Sequence, residues 1–279
     1  MIGPAFIGAV SGESSTTPSV LWTPANLSTA AKIWLKETGL VDAGGGAISQ
    51  WTDESGSGWD FTQSTSASRP VIVPNALNGK SVAIFDGSND VLVGVTSANA
   101  LYRAKTYGWA MHLFKKTASG SAVDRAMFAA RYPGVGWYTT YVGSSRGSTT
   151  PVLLARRLSG DSASFFDGTS LSVGWHMLMG VVNWGAGTGQ LYVDGSLMAS
   201  ANPFTSTGTT SNIAANEITL GAGSSTGLYA DVSIGEHLAG DATLSTGDID
   251  KLFGYMAWKW GLQSLLPVGH PYKSAPPTV

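Results

Sequence analysis

The stretch WHMLMGVVNWGAGTGQLYVDGSLM, residues 175–198, decides the fold. Side chains alternate sides along an extended strand, so Trp175, Met177, Met179 and Val181 share one face while Leu178 and Val182 share the other. Both faces are apolar. A strand of this kind needs cover on two sides, which places it inside a layered sandwich. Residues 190–193 form its expected partner and end in Asp194-Gly195, a pair that tolerates the positive φ of a tight hairpin turn. Residues 196–199 then begin the return strand.

Composition extends that reading to the rest of the chain. The protein has 279 residues, 43% of them hydrophobic and 10% aromatic, enough to fill one large β domain. Only 12% are charged, whereas 36 are glycine, a balance that suits many short strands and tight turns. The net charge is −2 and no run of Lys or Arg exceeds two residues, so the basic footprint of a nucleic-acid binder is missing. There are no cysteines, which excludes disulfides, thiolate zinc sites and a thiol nucleophile. The apolar runs are too short for a membrane helix, and MIGPAFIGAV lacks the positive start of a secretory signal. No nucleic acid partner, membrane insertion or export signal is expected.

Residues 1–20 read as an arm or linker, because the Ser/Thr-rich run from Ser11 to Ser19 offers few core candidates. The sandwich is expected to occupy 21–279, with middle strands near 109–114, 126–130, 136–142 and 152–155. Near the C-terminus the period changes. Ser245 with Asp248 three positions later is a capping pair, and Ile249, Leu252, Phe253, Met256, Ala257 and Trp260 follow at helical spacing. Gly261 stands at the C-cap and Pro267 and Pro271 bar continuation, so a helix over 246–260 and an extended tail over 262–279 are expected.

Three segments carry a family resemblance. Residues 175–198, residues 51–93 with Trp51-Thr-Asp53 and Phe85-Asp86-Gly87, and residues 254–273 with GYMAWKWGL, Leu266-Pro267 and His270-Pro-Tyr-Lys273 together resemble laminin G-like, concanavalin A-like jelly-roll domains. The last segment is similar to a C-terminal signature of such domains in bacteriophage and phage-like virion proteins. The resemblance implies an all-β fold, a two-sheet antiparallel jelly-roll sandwich with a C-terminal α-helix. It also implies a non-enzymatic role on a virion surface as a head decoration, head fibre or tail fibre subunit. Such a protein would be made in the host cytoplasm without a signal peptide. Other virion proteins would be its partners through the N-terminal arm, with symmetric self-association and host-surface polysaccharide as a ligand. A bacterial carbohydrate-binding module or lectin is the rival reading, and a polysaccharide hydrolase or lyase a third.

Glycoside hydrolysis needs two facing carboxylates, and the one Asp-x-Asp, Asp248 and Asp250, falls in the first helical turn, where acids favour the helix dipole. Gly143-Ser-Ser145-Arg-Gly147 matches the serine hydrolase pattern but lacks the strand-to-helix context that makes a nucleophile elbow. Thr52 to Trp59 nearly matches a sialidase Asp-box, yet Glu54 stands where Asp is required, so turn scaffolding is the better account. His112, His176, His237 and His270 are scattered without metal-ligand spacing. No cofactor is required. The resemblance raises calcium, for which Asp86, Asn89 and Asp90 are the candidate ligands, although turn formation accounts for the same residues. For glycan stacking, Trp137, Tyr138 and Tyr141 on one strand and Trp184 in the loop after Asn183 are the candidates, with core packing as the competing role.

Overall fold

The computed structural model describes residues 19–27, 31–116, 125–131, 138–144, 150–158, 160–162, 164–201 and 206–279. Within them the chain runs β1 (Ile33–Asp42), β2 (Ile48–Asp53), β3 (Phe61–Thr62), β4 (Val71–Leu77), β5 (Lys80–Asp86), β6 (Leu92–Gly94), β7 (Tyr107–Lys116), β8 (Arg125–Arg131) and β9 (Tyr138–Ser144). It continues through β10 (Pro151–Ala155), β11 (Ser164–Asp167), β12 (Gly174–Asn183), β13 (Thr188–Val193), β14 (Ser196–Ala201), β15 (Glu217–Leu220), β16 (Ala222–Ser224), β17 (Gly227–Tyr229) and β18 (Asp231–Gly240) to a helix, α1 (Thr246–Trp260). The strand pairs are antiparallel, as expected for a sandwich.

Pairing runs β11-β10-β9-β8-β15-β6, turns a corner through β3 and β2, and continues β1-β18-β7-β12-β13-β14. One half of β18 pairs with β1 and the other with β5, so both lie along the same edge. The path therefore folds into two layers. Between them lies one apolar core, to which Leu35, Phe85, Phe114, Leu178, Val182 and Ile234 contribute from one layer and Phe128, Leu153, Ile218 and Leu220 from the other.

A second core explains why the 175–182 strand is apolar on both sides. Met177, Met179 and Val181 turn away from the first core and meet Ile249, Leu252, Phe253, Met256 and Trp260 of α1. Leu178 and Val182 point inward. The helix forms where its caps predict: Ser245 Oγ accepts from the Asp248 amide at 3.1 Å, the Asp248 carboxylate accepts in return from the Ser245 amide at 3.0 Å, and Gly261 closes the helix at φ 68°. Asp194 and Gly195, at φ 50° and 83°, make the hairpin turn.

The layers also need closeness that only glycine allows. A Cβ on Gly221, whose φ is +83°, would sit 2.0 Å from the ring of Phe85. Residues 20–22 meet the C-terminal residues on the helix side, where the Trp22 amide donates to Pro277 O at 2.9 Å and the Val279 amide to Val20 O at 3.0 Å. Residues 1–18, most of the expected arm, lie outside the described residues.

Candidate functional site

The expected stacking platform does not include Trp184. Trp184 is 0% exposed, so it cannot meet a ligand. Its ring lies edge-on to Tyr102 at 5.8 Å, and both fill the space that a side chain on Gly108 would take. The residue closes the end of the inter-sheet core. Trp137 lies outside the described residues, and for Tyr138 and Tyr141 only the backbone is described: both belong to β9, with Tyr141 opposite Leu154 of β10. Trp51, Trp109 and Trp260 are also fully buried. Two cores, not one, absorb the aromatic side chains.

The calcium candidates form a turn. Asp86 Oδ1 accepts from the amides of Ser88 at 2.8 Å and Asn89 at 3.2 Å, and Asp90 Oδ2 accepts from the Asp86 amide at 2.9 Å. Burial pushes the Asp90 carboxyl up to about 6, against the opposing pull of the Asp86 amide and with help from the Asp86 charge. Both carboxylates thus serve backbone N–H groups, the ordinary chemistry of an Asx turn. No group of three or more His, Cys, Asp or Glu that could hold a metal occurs among the described residues.

The Thr52–Trp59 segment forms a more elaborate turn. Asp53 is buried; its Oδ1 accepts from the amides of Trp34 and Ser55, both at 2.9 Å, and its Oδ2 from Ser55 Oγ at 2.8 Å and the Trp59 amide at 3.0 Å. Asp60 Oδ1 accepts from the Asp53 amide at 2.8 Å, while its Oδ2 accepts from Gln50 Nε2 at 3.0 Å. Two carboxylates therefore fix the backbone on both sides of Trp59. The indole of Trp59 is half-buried, and its N–H has no hydrogen-bond partner among the described residues. By contrast, the indoles of Trp34, Trp51, Trp258 and Trp260 all donate to the protein. Gly56 and Gly58, beside Trp59, face open space. Sequence reasoning treated this loop as scaffolding and passed over the ring it carries; the signal was a tryptophan bracketed by Gly58 and Asp60 in a polar turn.

A second constellation imitates a catalytic triad. His176 Nδ1 donates to Asp194 Oδ2 at 2.7 Å, and Ser172 Oγ lies 3.3 Å from His176 Nε2. The carbonyl oxygen of Ser172 lies closer, at 3.0 Å from the same nitrogen. An imidazole between a carboxylate and a carbonyl is best satisfied with protons on both nitrogens, and then Nε2 cannot accept the serine proton. Burial pulls the His176 pKa down, but the hydrogen bond and charge of Asp194 and the Ser172 carbonyl outweigh burial and the opposing Lys116 charge, so the net direction is up. With Asp194 Oδ1 accepting from the Met177 amide at 2.8 Å, this cluster fastens the β13–β14 turn to β12.

The third is buried and anionic. β18 carries a bulge: Ile234 pairs with Phe114, and Glu236 rather than Gly235 pairs with Leu113. The extra residue flips the alternation so that Glu236 points into the helix-side core and His237 into the inter-sheet core. Glu236 accepts from Trp34 Nε1 at 2.7 Å, Tyr255 Oη at 2.8 Å and Trp260 Nε1 at 2.7 Å, and pairs with Lys259 Nζ at 2.9 Å. Lys259 also meets Glu37 at 2.7 Å. Burial, then the Glu236 carboxylate, push the Tyr255 phenol far up, so it stays a donor. Every lone pair of this carboxylate is directed at the protein, leaving it structural.

No family model and no curated protein sequence matches the chain significantly. Solved structures are similar in fold. Domain 4 of AbnA, a GH43 extracellular arabinanase from Geobacillus stearothermophilus, solved with arabinotriose, has a TM-score of 0.54 at 14% identity and matches 80% of this chain and 97% of its own. The binding domain of botulinum neurotoxin serotype D has a TM-score of 0.56 at 15% identity, over 80% of this chain and 50% of its own. Trypanosoma rangeli sialidase with sialic acid has a TM-score of 0.53 at 16% identity, over 81% of this chain and 33% of its own. The chain thus spans about a third of the sialidase and half of the toxin domain. At these identities the likeness establishes a shared β-sandwich fold.

Proposed function

We propose that the chain is a non-enzymatic recognition module that binds glycans at the rim around Trp59. The observation that carries this reading is a half-buried indole on a turn fixed by two carboxylates, with an unused N–H and open surface on its flank. Such a ring offers a flat apolar face for the C–H side of a pyranose or furanose, with a polar edge beside it. Gln50, Thr52 and Asp60 border the ring's turn and supply the few oriented polar groups such a site uses. The acids and histidines described above are engaged in turns, caps and ion pairs, which favours recognition over bond cleavage. A sandwich matched over 97% of its length to a domain solved with arabinotriose supports the same reading.

We further propose that the module is displayed on a phage or phage-like particle, on the strength of the 254–273 segment, with the N-terminal arm as its attachment. The AbnA match, a domain of an extracellular bacterial enzyme, favours the alternative of a bacterial carbohydrate-binding module. Both share the glycan site. The test is Trp59→Ala, assayed against the tightest ligand found on a glycan array. Loss of one stacking contact is worth about 1.4 kcal/mol, so affinity should fall roughly tenfold, measured at a temperature where the variant, which also loses a half-buried ring packed on the inter-sheet core, remains folded. Unchanged affinity would remove Trp59 from the site.

A further inference from the structure

His112 and His237 face each other from neighbouring strands, β7 and β18, at paired positions in the middle of the sheet. Both are 0% exposed. Their rings stack with centroids 4.5 Å apart and planes at 24°, and their Nδ1 atoms are 3.1 Å apart. One Nδ1–H must donate to the other Nδ1, which requires that at least one ring is neutral. Neither Nε2 has a hydrogen-bond partner among the described residues.

The surroundings offer a charge little: the Met111 backbone favours a proton on His237, but burial and the His112 ring outweigh it. Phe128 of β8 lies 4.6 Å from the His237 ring, Phe61 of β3 lies 6.5 Å from it, and Leu35 of β1 and Leu178 of β12 are the paired neighbours. The nearest ionic groups on these strands, Glu236 with its partner Lys259, lie on the opposite face of the sheet. Across the gap, the inter-sheet core is apolar.

We propose that this stacked pair is an acid-sensitive fastener: the two sheets hold together only while both imidazoles stay neutral, and proton uptake by both accompanies their separation. Burial drives the His112 pKa down to about 3, and burial together with the adjacent His112 drives His237 well below its ordinary value. The sign follows from linkage. A base whose folded pKa is depressed contributes its full share above the unfolded value, here 6.5, and loses it as pH falls below that. Each such histidine raises the unfolding constant about tenfold per pH unit, so the pair raises it about a hundredfold. An acidified compartment would loosen the sandwich and free whatever its rim holds.

The experiment is urea unfolding of the full chain and of the His112→Leu/His237→Leu variant, from pH 7.5 to pH 5. His176, His270 and the carboxylates are common to both proteins and cancel in the comparison. From pH 7.5 to pH 5 the unfolding constant of the native sequence should outgrow that of the variant by roughly a thousandfold, the slope approaching a hundredfold per pH unit only well below 6.5. Parallel pH profiles would overturn the proposal. Should the double variant not fold, NMR titration of the native protein decides: both imidazoles should remain neutral from pH 7.5 to pH 5, and titration of either near 6.5 in the folded state would refute the fastener.

Discussion

Replacing Glu236 by Gln tests what holds the helix layer to the sandwich. The carboxylate is 0% exposed and receives three neutral donors, from Trp34, Tyr255 and Trp260, besides the Lys259 ammonium. A glutamine amide has one acceptor oxygen, and its NH2 would face a donor. At least one buried N–H or O–H is then left unpaired, at about 1–3 kcal/mol. Lys259 loses one of its two carboxylates but keeps Glu37, which places the total below the roughly 3–5 kcal/mol of a fully orphaned buried charge. We expect a loss of about 2 kcal/mol, read as a shift in the urea midpoint at pH 7 with unchanged slope. Lys259→Met should cost at least as much, since the buried Glu236 carboxylate keeps its three neutral donors but loses its cation. A double-mutant cycle between the two positions should return a coupling of about 1 kcal/mol or more. A loss under about 1 kcal/mol for Glu236→Gln would mean that the network merely fills space and that α1 is held by its apolar face alone.

Two other substitutions probe different joints. Gly221→Ala would force a methyl against the Phe85 ring from a backbone that only glycine adopts without strain, and should cost more than about 3 kcal/mol by thermal or urea unfolding. His176→Gln should narrow the stability gap between mildly acid and alkaline pH. The raised pKa of His176 means that its bond to Asp194 contributes fully below pH 6.5 and fades as pH rises through the folded value. Native and variant stabilities, measured from pH 6 to pH 9, should therefore converge at the alkaline end.

How much of this could be read from the sequence varies with the kind of signal. The 175–182 strand was legible because strict alternation with two apolar faces admits few arrangements, and the structure supplies both covers, the inter-sheet core and α1. The helix was legible to the residue, since Ser245, Asp248 and Gly261 are cap residues whose chemistry is local. Glu236 was illegible. In DVSIGEHLAG it looks like a lone acid in an apolar run, and only the bulge at Gly235 decides which layer it enters. Trp184 was misread because a tryptophan before Gly-Ala-Gly looks like a loop tip, whereas the space for its ring is made far away in sequence by Gly108. Trp59 was missed for the converse reason. Its turn is closed by backbone N–H groups donating to Asp53 and Asp60, and that pattern fixes the backbone without saying that the ring is left half in water.

The recognition reading stands or falls on one measurement: titration of the isolated chain with arabinan fragments, sialylated oligosaccharides and bacterial surface polysaccharides, with the sugars recovered and analysed afterwards. Saturable binding to at least one of them, weakened by Trp59→Ala and leaving the sugar chain length unchanged, is the predicted result. Shortened chains, or binding indifferent to Trp59, would contradict it.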